Sequence, residues 1–322
     1  MERKLAALER GEACKCFGSG MAAISAVLLA FLHAGDHVLF VNHTYGPTLQ
    51  LAESLRRLGI QYDRLLDLDA AAVEAALRPE TRLVRLESPG TMLFRVLDLE
   101  AVAGLARERG IPTCIDNSWA TPLCQKPLAM GIDLVVHTCT KYLGGHSDLV
   151  AGAVMGSEER IAEIFERTYL LLGGILGPFE AWLLLRGAAH PPCPAPPARG
   201  GRAPGGGVPA RHRAVRRVFP PAFAEERALV ERQLSGYSGL LSFELAGGDF
   251  EDVRRVIDAL RVPRIGVSWG GVESLVLSPN RGTNGPWLDA QGIPRGLIRL
   301  SVGLEGAEVL IEDLGQALAT RS

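Results

Sequence analysis

The sequence lacks an excess of charge of either sign. Its 322 residues hold 34 lysines and arginines against 36 aspartates and glutamates, and no long run of one sign interrupts this balance. Binding to nucleic acid or to an anionic membrane surface depends on such an excess. We therefore expect no nucleic-acid or membrane partner, and a small-molecule substrate is favoured instead.

A long apolar run and a secretory leader are also missing. The most apolar stretch, AAISAVLLAFLHAG at residues 22–35, is shorter than the ~20 residues that a membrane-spanning helix needs. The amino terminus does not show a basic segment followed by an apolar one. These absences predict a cytoplasmic protein.

Cysteine pairs with metal-binding spacing are absent as well. The six cysteines stand at positions 14, 16, 114, 124, 139 and 193, without the C-x-x-C spacing that is typical of zinc sites. The sequence thus predicts reduced thiols and no metal ion.

What the sequence does contain is a regular alternation of helices and strands over residues 19–186. Apolar strands such as DHVLFVN and IDLVVHTCT alternate with amphipathic helices such as DLEAVAGLARERG. This order predicts an α/β domain with a mostly parallel sheet covered on both faces. After residue 214 the looser order predicts a smaller α+β domain. We expect a large domain at 1–187, a Pro/Gly-rich junction at 188–214 and a small domain at 215–322.

Three features lie where such a fold places ligands, beyond the carboxyl ends of the strands. Asp116 directly follows the apolar strand residues PTCI, although an aspartate there can also be a helix cap. Lys141 follows another strand, together with Thr138 and Thr140. A buried lysine at this position can form a Schiff base, and the alternative is an ordinary solvated lysine.

The third feature is the turn FGSG that opens a helix. Backbone N–H groups of Ser19, Gly20 and Met21 would face an anion there, with the helix dipole adding to the attraction. A phosphate cradle, an acid for a pyridine nitrogen and a Schiff-base lysine are the parts that pyridoxal 5′-phosphate requires. A nicotinamide cofactor would need a Gly-rich fingerprint after a strand, which the sequence does not offer.

Motifs in one order along the chain then make the interpretation specific. They are SGMAAI, TYGPT, ESPG, DNSWATP, TKYLGGHSD, SGYSGLLSFEL, SWGGVESL and IRLSVGLE. This set resembles the Cys/Met-metabolism family of pyridoxal-phosphate enzymes, nearly throughout the chain apart from residues 188–214. The resemblance implies the aspartate-aminotransferase-like fold (fold type I), pyridoxal 5′-phosphate as cofactor, and homotetramers built from active dimers.

The resemblance also implies residue roles. Lys141 matches the lysine that forms a Schiff base with the cofactor and moves protons, and Asp116 matches the partner of the pyridine nitrogen. Tyr45 matches the aromatic residue that stacks on the cofactor ring, and it joins Lys141 as an expected catalytic residue. Phosphate contacts are implied for Ser19, Gly20, Met21, Thr138 and Thr140, and substrate contacts for Ser268, Trp269 and Arg299, the last at the substrate carboxylate.

Two short motifs bear on the reaction. SWGG, with Trp269, and ESPG followed by TMLFRVLDL resemble the cystathionine β-lyases of proteobacterial type. The expected reaction is β-elimination of an L-cysteine thioether, with cystathionine giving homocysteine, pyruvate and ammonia in methionine biosynthesis. The alternatives are a γ-acting relative (cystathionine γ-synthase, cystathionine γ-lyase or methionine γ-lyase) and an inactive remnant of the family.

Two departures from the family pattern bear on activity. The chain starts after the place where the family carries a Tyr-x-Arg motif that reaches a neighbour's cofactor phosphate, so no residue here is assigned that role. The segment AAHPPCPAPPARGGRAPGGGVPARHRA at 188–214 holds seven prolines where the family continues a helix. Read one base later, its codons permit Leu-Arg-Thr-Leu-Pro, as in the family. The hypothesis is a pair of compensating frameshifts, either genuine or a sequencing error, which resequencing the gene decides.

Overall fold

The chain divides into two compact units. The computed structural model describes residues 1–189, 212–219, 221 and 226–321, so most of the Pro/Gly-rich junction, and with it the frameshift hypothesis, lies outside the described residues. The first unit comprises Met1–Thr91, Arg95–Pro191 and Gln233–Ser235. The second comprises Met92–Phe94, Pro192–Arg232 and Gly236–Ser322.

Helices and strands alternate through the first unit as the sequence predicts. Its helices are α1 (Glu2–Glu9), α2 (Gly20–Phe31), α3 (Gly46–Leu55), α4 (Ala70–Ala76), α5 (Leu99–Glu108), α6 (Thr121–Cys124), α7 (Glu158–Ile164), α8 (Leu170–Leu172) and α9 (Pro178–Gly187). Its strands are β1 (Ala13–Phe17), β2 (His37–Val41), β3 (Gln61–Leu65), β4 (Thr81–Glu87), β5 (Thr113–Asp116), β6 (Leu134–His137) and β7 (Gly152–Gly156).

These strands form one sheet, which has seven strands among the described residues, in the order β1-β7-β6-β5-β4-β2-β3. The five strands from β6 to β3 are parallel. Along β2, Phe40 packs into the core on one face and Leu39 into the core on the other. Both faces are therefore covered, which explains why these strands read as continuous apolar runs.

One side of this sheet differs from a purely parallel arrangement. Strand β7 runs antiparallel to both β6 and β1. Strand β1 therefore points in the same direction as the parallel strands, and its carboxyl end lies at their carboxyl edge. This detail matters because the helix that follows β1, α2, begins at that edge.

The second unit is smaller and has its own sheet. Its strands are β8 (Val215–Val218), β9 (Leu240–Leu245), β10 (Arg264–Ile265), β11 (Leu275–Leu277) and β12 (Leu297–Ser301), paired in the order β10-β11-β12-β9-β8. Its helices include α11 (Phe250–Ala259), α12 (Gly285–Ala290) and α13 (Ala307–Ala319), while α10 (Arg227–Gln233) precedes β9. Leu314 of α13 and Val256 of α11 share a core with Phe243 of β9. This is the predicted α+β arrangement.

Three further expectations concern membranes, metals and thiols. Within the described ranges, no helix is long and apolar enough to cross a membrane. The same residues contain no group of three or more His, Cys, Asp or Glu side chains that could hold a metal ion. The cysteines that the structure describes are all free thiols, and burial raises the pKa of Cys114 to about 11.

Candidate active site

The carboxyl edge of the first unit's sheet brings the predicted residues of that unit together. Strands β2, β5 and β6 end there next to Tyr45, Asp116 and the turn that carries Lys141. Strand β1 ends at the same edge and leads into the amino terminus of α2 at Gly20. All eight residues that the sequence assigns to the cofactor therefore lie along one edge of one sheet.

The amino terminus of α2 has the features of an anion site. Ser19 caps the helix, because its hydroxyl accepts from Ala22 N at 3.0 Å. The first N–H groups of a helix have no partner within it, so those of Gly20 and Met21 face outward at the positive end of a 12-residue helix dipole. A Cβ atom at Gly20 would collide with the side chain of Thr138, so only glycine permits this close approach.

Asp116 is held from two sides. Its Oδ1 accepts from Ser118 N at 3.0 Å, and its Oδ2 lies 3.5 Å from Nη2 of Arg85. Arg85 is buried within the sheet, with Nη1 donating to Leu86 O at 2.8 Å, whereas its Nη2 has no hydrogen-bond partner among the described residues. The carboxylate is thus fixed at the strand end, where its side chain stays 10% exposed.

Ser118 connects Asp116 to the strand that carries the lysine. Its hydroxyl accepts from Thr138 N at 2.7 Å. Thr138 O in turn accepts from Lys141 N at 3.1 Å. These hydrogen bonds join the ends of β5 and β6, so a displacement of one functional group would be transmitted to the other.

Lys141 differs from the other lysines of the chain in its place, the turn after β6 at the carboxyl edge of the sheet. The sequence has four lysines, at positions 4, 15, 126 and 141. Lys15 pairs with Glu2 at 3.2 Å, Lys126 donates to Leu8 O, and Lys4 is exposed on α1. Lys141 is partly buried in the turn after β6. A Schiff base at the carboxyl edge of the sheet therefore has Lys141 as its candidate.

The two threonines of this turn are placed differently. The Thr140 hydroxyl donates to Ala151 O at 3.2 Å and accepts from Ala151 N at 3.0 Å. A hydroxyl has one proton to donate, so in this arrangement Thr140 has none left for a phosphate oxygen. Thr138 Oγ1 instead lies against Gly20 at the start of α2. The geometry favours Thr138 over Thr140 as an anion contact.

Tyr45 contacts Glu87, a residue that the sequence did not indicate as part of the site. Its ring is 48% exposed at the start of α3, while its backbone N donates to Oε1 of Glu87 at 2.6 Å. Glu87 ends β4 and pairs with Asp116 in the parallel register. Burial and the nearby Asp116 raise the pKa of Glu87 to about 8, against the opposing effect of the Tyr45 hydrogen bond.

The expected substrate residues lie in the second unit. Arg299 is buried in β12, and its Nη2 donates to Val267 O at 2.8 Å and approaches Ser268 O at 3.5 Å. This attaches the Ser268–Trp269 segment to the arginine. The structure thus brings these three residues together within their own unit.

Three members of the carboxyl edge were missed because their signals are weak in the sequence. Arg85 and Glu87 alternate with leucines in RLVRLE, a pattern typical of a strand with one solvated face. Their place in a strand of a sheet that was predicted to be covered on both faces was the available signal, since charges buried there need partners. Ser118 has no pattern of its own and becomes visible only through its contact with Thr138.

Comparisons with known proteins identify the family of the chain. A family model described as Cys/Met metabolism PLP-dependent enzyme matches residues 1–189 and 210–319, so the unmatched stretch falls inside the Pro/Gly-rich junction. The chain is 37% identical to the cystathionine gamma-lyase of Bacillus subtilis, over 99% of this chain and 85% of that protein. It is 39% identical to the cystathionine beta-lyase of Bordetella avium, over 99% of this chain and 80% of that protein.

A solved structure supports the same assignment. The crystal structure of metB from Corynebacterium glutamicum superposes with a TM-score of 0.90 at 29% identity, covering 100% of this chain and 84% of that one. The match confirms the predicted fold type I architecture, and the family description confirms pyridoxal 5′-phosphate as the cofactor. The chain belongs to the Cys/Met metabolism family of PLP-dependent enzymes.

Proposed function

We propose that the chain is a carbon–sulfur lyase that cleaves L-cystathionine by β-elimination. With one water molecule, cystathionine gives L-homocysteine, pyruvate and ammonia. The observation that carries the proposal is the assembly of Lys141, Asp116 and the amino terminus of α2 along one edge of the sheet. These groups are a nucleophilic amine, a carboxylate and an anion site, which together suit this cofactor and amino-acid chemistry.

The residues of the edge fit pyridoxal phosphate. Gly20 and Thr138 approach each other more closely than any residue with a Cβ atom at position 20 would allow. The space beside the outward N–H groups at the start of α2 forms a cradle that suits the phosphate, together with Ser19 and Met21. For Thr140 to contact the phosphate as a donor, its hydroxyl would have to leave Ala151 O. The cradle therefore assigns the phosphate mainly to α2 and Thr138.

The other roles follow from the chemistry of the side chains. Asp116 would hold the ring nitrogen, Tyr45 would stack on the ring, and Lys141 would form the Schiff base. When bound, pyridoxal phosphate supplies a sink for the negative charge that develops at the α-carbon of an amino acid. The amine of Lys141 takes the α-proton and later returns a proton, while the Asp116 carboxylate compensates the positive charge of the ring.

Substrate recognition is assigned to the second unit. The planar guanidinium of Arg299 suits the α-carboxylate of the substrate, and its hydrogen bond to Val267 O fixes the side chain in advance. Ser268 and Trp269 follow in the segment that this arginine holds. We propose that these three residues bind the amino-acid end of the substrate.

The choice of β-elimination over γ-elimination rests on Trp269 and on the sequence TMLFRVLDL after ESPG. The relatives include both a beta-lyase and a gamma-lyase at similar identity, so overall identity does not separate the two reactions. A γ-elimination also requires removal of a proton from the β-carbon, which places a second demand on the base. The second candidate function is accordingly a γ-acting relative, and the third is an inactive remnant.

Product analysis on the purified chain distinguishes these candidates. With L-cystathionine and pyridoxal phosphate, we expect pyruvate and homocysteine, whereas a γ-lyase would release 2-oxobutyrate and cysteine. Absence of both keto acids, although the cofactor binds, would exclude both lyases and leave a γ-synthase or an inactive remnant. In Trp269→Leu we expect a lower share of pyruvate among the keto acids. The matched control is Trp287→Leu, at an exposed tryptophan of α12, which should leave that share unchanged.

We also propose that the chain forms a homo-oligomer, a dimer or a tetramer. The support is an apolar surface of the first unit around α8 and α9, where Leu171 is 74%, Phe179 65% and Trp182 57% exposed. Apolar side chains clustered on a surface in this way commonly mark a protein interface. Light scattering after gel filtration should give at least the mass of a dimer for the unmodified chain, and a lower mass for the double variant Phe179→Ser/Trp182→Ser. A monomer mass for the unmodified chain would contradict the proposal. A cytoplasmic location stays a prediction from the sequence.

A further inference from the structure

Glu87 and Asp116 form a pair of neighbouring acids at the carboxyl edge. They end β4 and β5, and they are partners in the parallel register, so both side chains stand on the same face. The one guanidinium within ion-pair distance of Asp116 among the described residues belongs to Arg85, two residues before Glu87. Two carboxyl groups thus share a single buried cation, and that cation is directed to Asp116.

Glu87 is also a hydrogen-bond acceptor for the loop above it. Its Oε1 accepts from Tyr45 N at 2.6 Å, and its backbone oxygen accepts from Asn42 Nδ2 at 2.8 Å. The side chain therefore holds the backbone of the residue whose ring the proposed function assigns to the cofactor. An acceptor is all that this contact requires, and a neutral carboxyl provides it through its carbonyl oxygen.

The surroundings disfavour a second charge at this place. Glu87 is almost fully buried, and burial together with Asp116 raises its pKa to about 8. The opposing groups are the backbone N–H groups of Tyr45 and Thr91 and the guanidinium of Arg85. On the other side of β4, strand β2 leads to the buried His43. Two carboxylates side by side in a buried site commonly retain one proton between them.

We propose that Glu87 is a positioning residue that remains protonated at neutral pH, fixes the Tyr45 backbone, and leaves Asp116 as the carboxylate available to the cofactor ring. The inference rests on the proposed function only in assigning Tyr45 and Asp116 to the cofactor. The protonation and the Tyr45 contact are properties of the chain alone. Both can be measured without cofactor.

The first test measures whether Glu87 keeps its proton in the folded chain. Unfolding of the full chain without added cofactor is measured from pH 5 to 9 for the wild type and for Glu87→Gln, which keeps a neutral acceptor. A carboxyl with a raised pKa in the folded state binds its proton more tightly there than in the unfolded chain, so stability falls as pH rises between the two pKa values.

The expected result is a change in the relative unfolding constants. The equilibrium constant for unfolding of the wild type, divided by that of Glu87→Gln, should rise about tenfold per pH unit between the unfolded-state and folded-state pKa values of Glu87. This ratio should level off above about pH 8. Contributions from groups other than Glu87 that are the same in both proteins cancel in the ratio. A ratio that does not change with pH would overturn the proposal, because Glu87 would then have its ordinary pKa.

The second test follows the Tyr45 contact by amide hydrogen exchange. The Tyr45 amide should exchange equally slowly in the wild type and in Glu87→Gln at pH 7, and faster in Glu87→Leu, which has no acceptor. Fast exchange in Glu87→Gln would contradict a neutral acceptor. Should Glu87→Leu fail to fold, the pH profile of Glu87→Gln still decides the question. If instead the chain shows these results but does not bind pyridoxal phosphate, the proposed function fails and the inference on Glu87 stands.

Discussion

Two buried acid clusters in the first unit differ in how their charge is balanced. In the α1 cluster, Glu9 contacts His137 Nε2 at 2.5 Å and accepts from Asn117 Nδ2 at 2.9 Å. In the edge cluster, Glu87 and Asp116 share Arg85. The first cluster surrounds one acid with two polar partners, whereas the second has more acid groups than cations.

The two clusters serve different purposes. The α1 cluster pairs its acid with His137 and Asn117 and joins α1 to β6, which is a structural task. The edge cluster keeps one carboxylate partly exposed beside a buried acid whose pKa is raised, a combination typical of functional sites. Substitutions in the first cluster should therefore change stability, and those in the second should change cofactor chemistry.

The largest effect is expected for Glu9→Ala. Removing this buried acid leaves His137 without its partner and Asn117 with only its longer contacts to the backbone, which should lower the free energy of unfolding by about 3–5 kcal/mol. Chemical denaturation measures the change. The matched control is Glu108→Ala at the exposed end of α5, expected within about 0.5 kcal/mol of the wild type. A loss under about 1 kcal/mol for Glu9→Ala would remove the contrast between the clusters.

Asp116→Asn should act on the reaction instead. The amide oxygen can still accept from Ser118 N, so the strand end keeps its hydrogen bond while the negative charge is lost. We expect kcat/KM to fall by about 10²–10³-fold, the cost of losing one preorganised electrostatic group. Steady-state kinetics with the proposed substrate measures the loss. Full activity in this variant, accompanied by a stability loss as large as that of Glu9→Ala, would reverse the roles of the two clusters.

A smaller effect is expected for substitutions of Thr138 and Thr140, the two threonines of the turn that carries Lys141. Thr140→Val breaks the contacts with Ala151 and should cost about 1 kcal/mol of stability, with little change in cofactor affinity. Thr138→Val removes the hydroxyl beside Gly20 and should weaken cofactor binding more than Thr140→Val does. Absorbance titration with pyridoxal phosphate compares them. Equal losses of affinity would mean that the Thr140 hydroxyl turns from Ala151 to the phosphate.

The sequence predicts the edge cluster only in part, for physical reasons. Asp116 ends an apolar strand and Lys141 comes after another, so topology alone places them at one edge. Glu87 and Arg85 carry the charge balance, yet charges that alternate with leucines also suit a solvated strand face, and their burial depends on pairing with β2 and β5. The same limit applies to β1 and β7, which were not predicted because ACKCF and GAVMG are short and their antiparallel pairing is a long-range contact.

The proposed chemistry depends on a Schiff base between Lys141 and pyridoxal phosphate at the carboxyl edge of this sheet. Reduction of the full chain with borohydride in the presence of the cofactor, followed by peptide mapping, tests it directly because the chain has just four lysines. We predict the reduced adduct on Lys141 in the wild type and equally in Lys126→Arg, and no specific adduct in Lys141→Ala. An adduct on Lys4, Lys15 or Lys126 in place of Lys141, or none at all, would contradict the account.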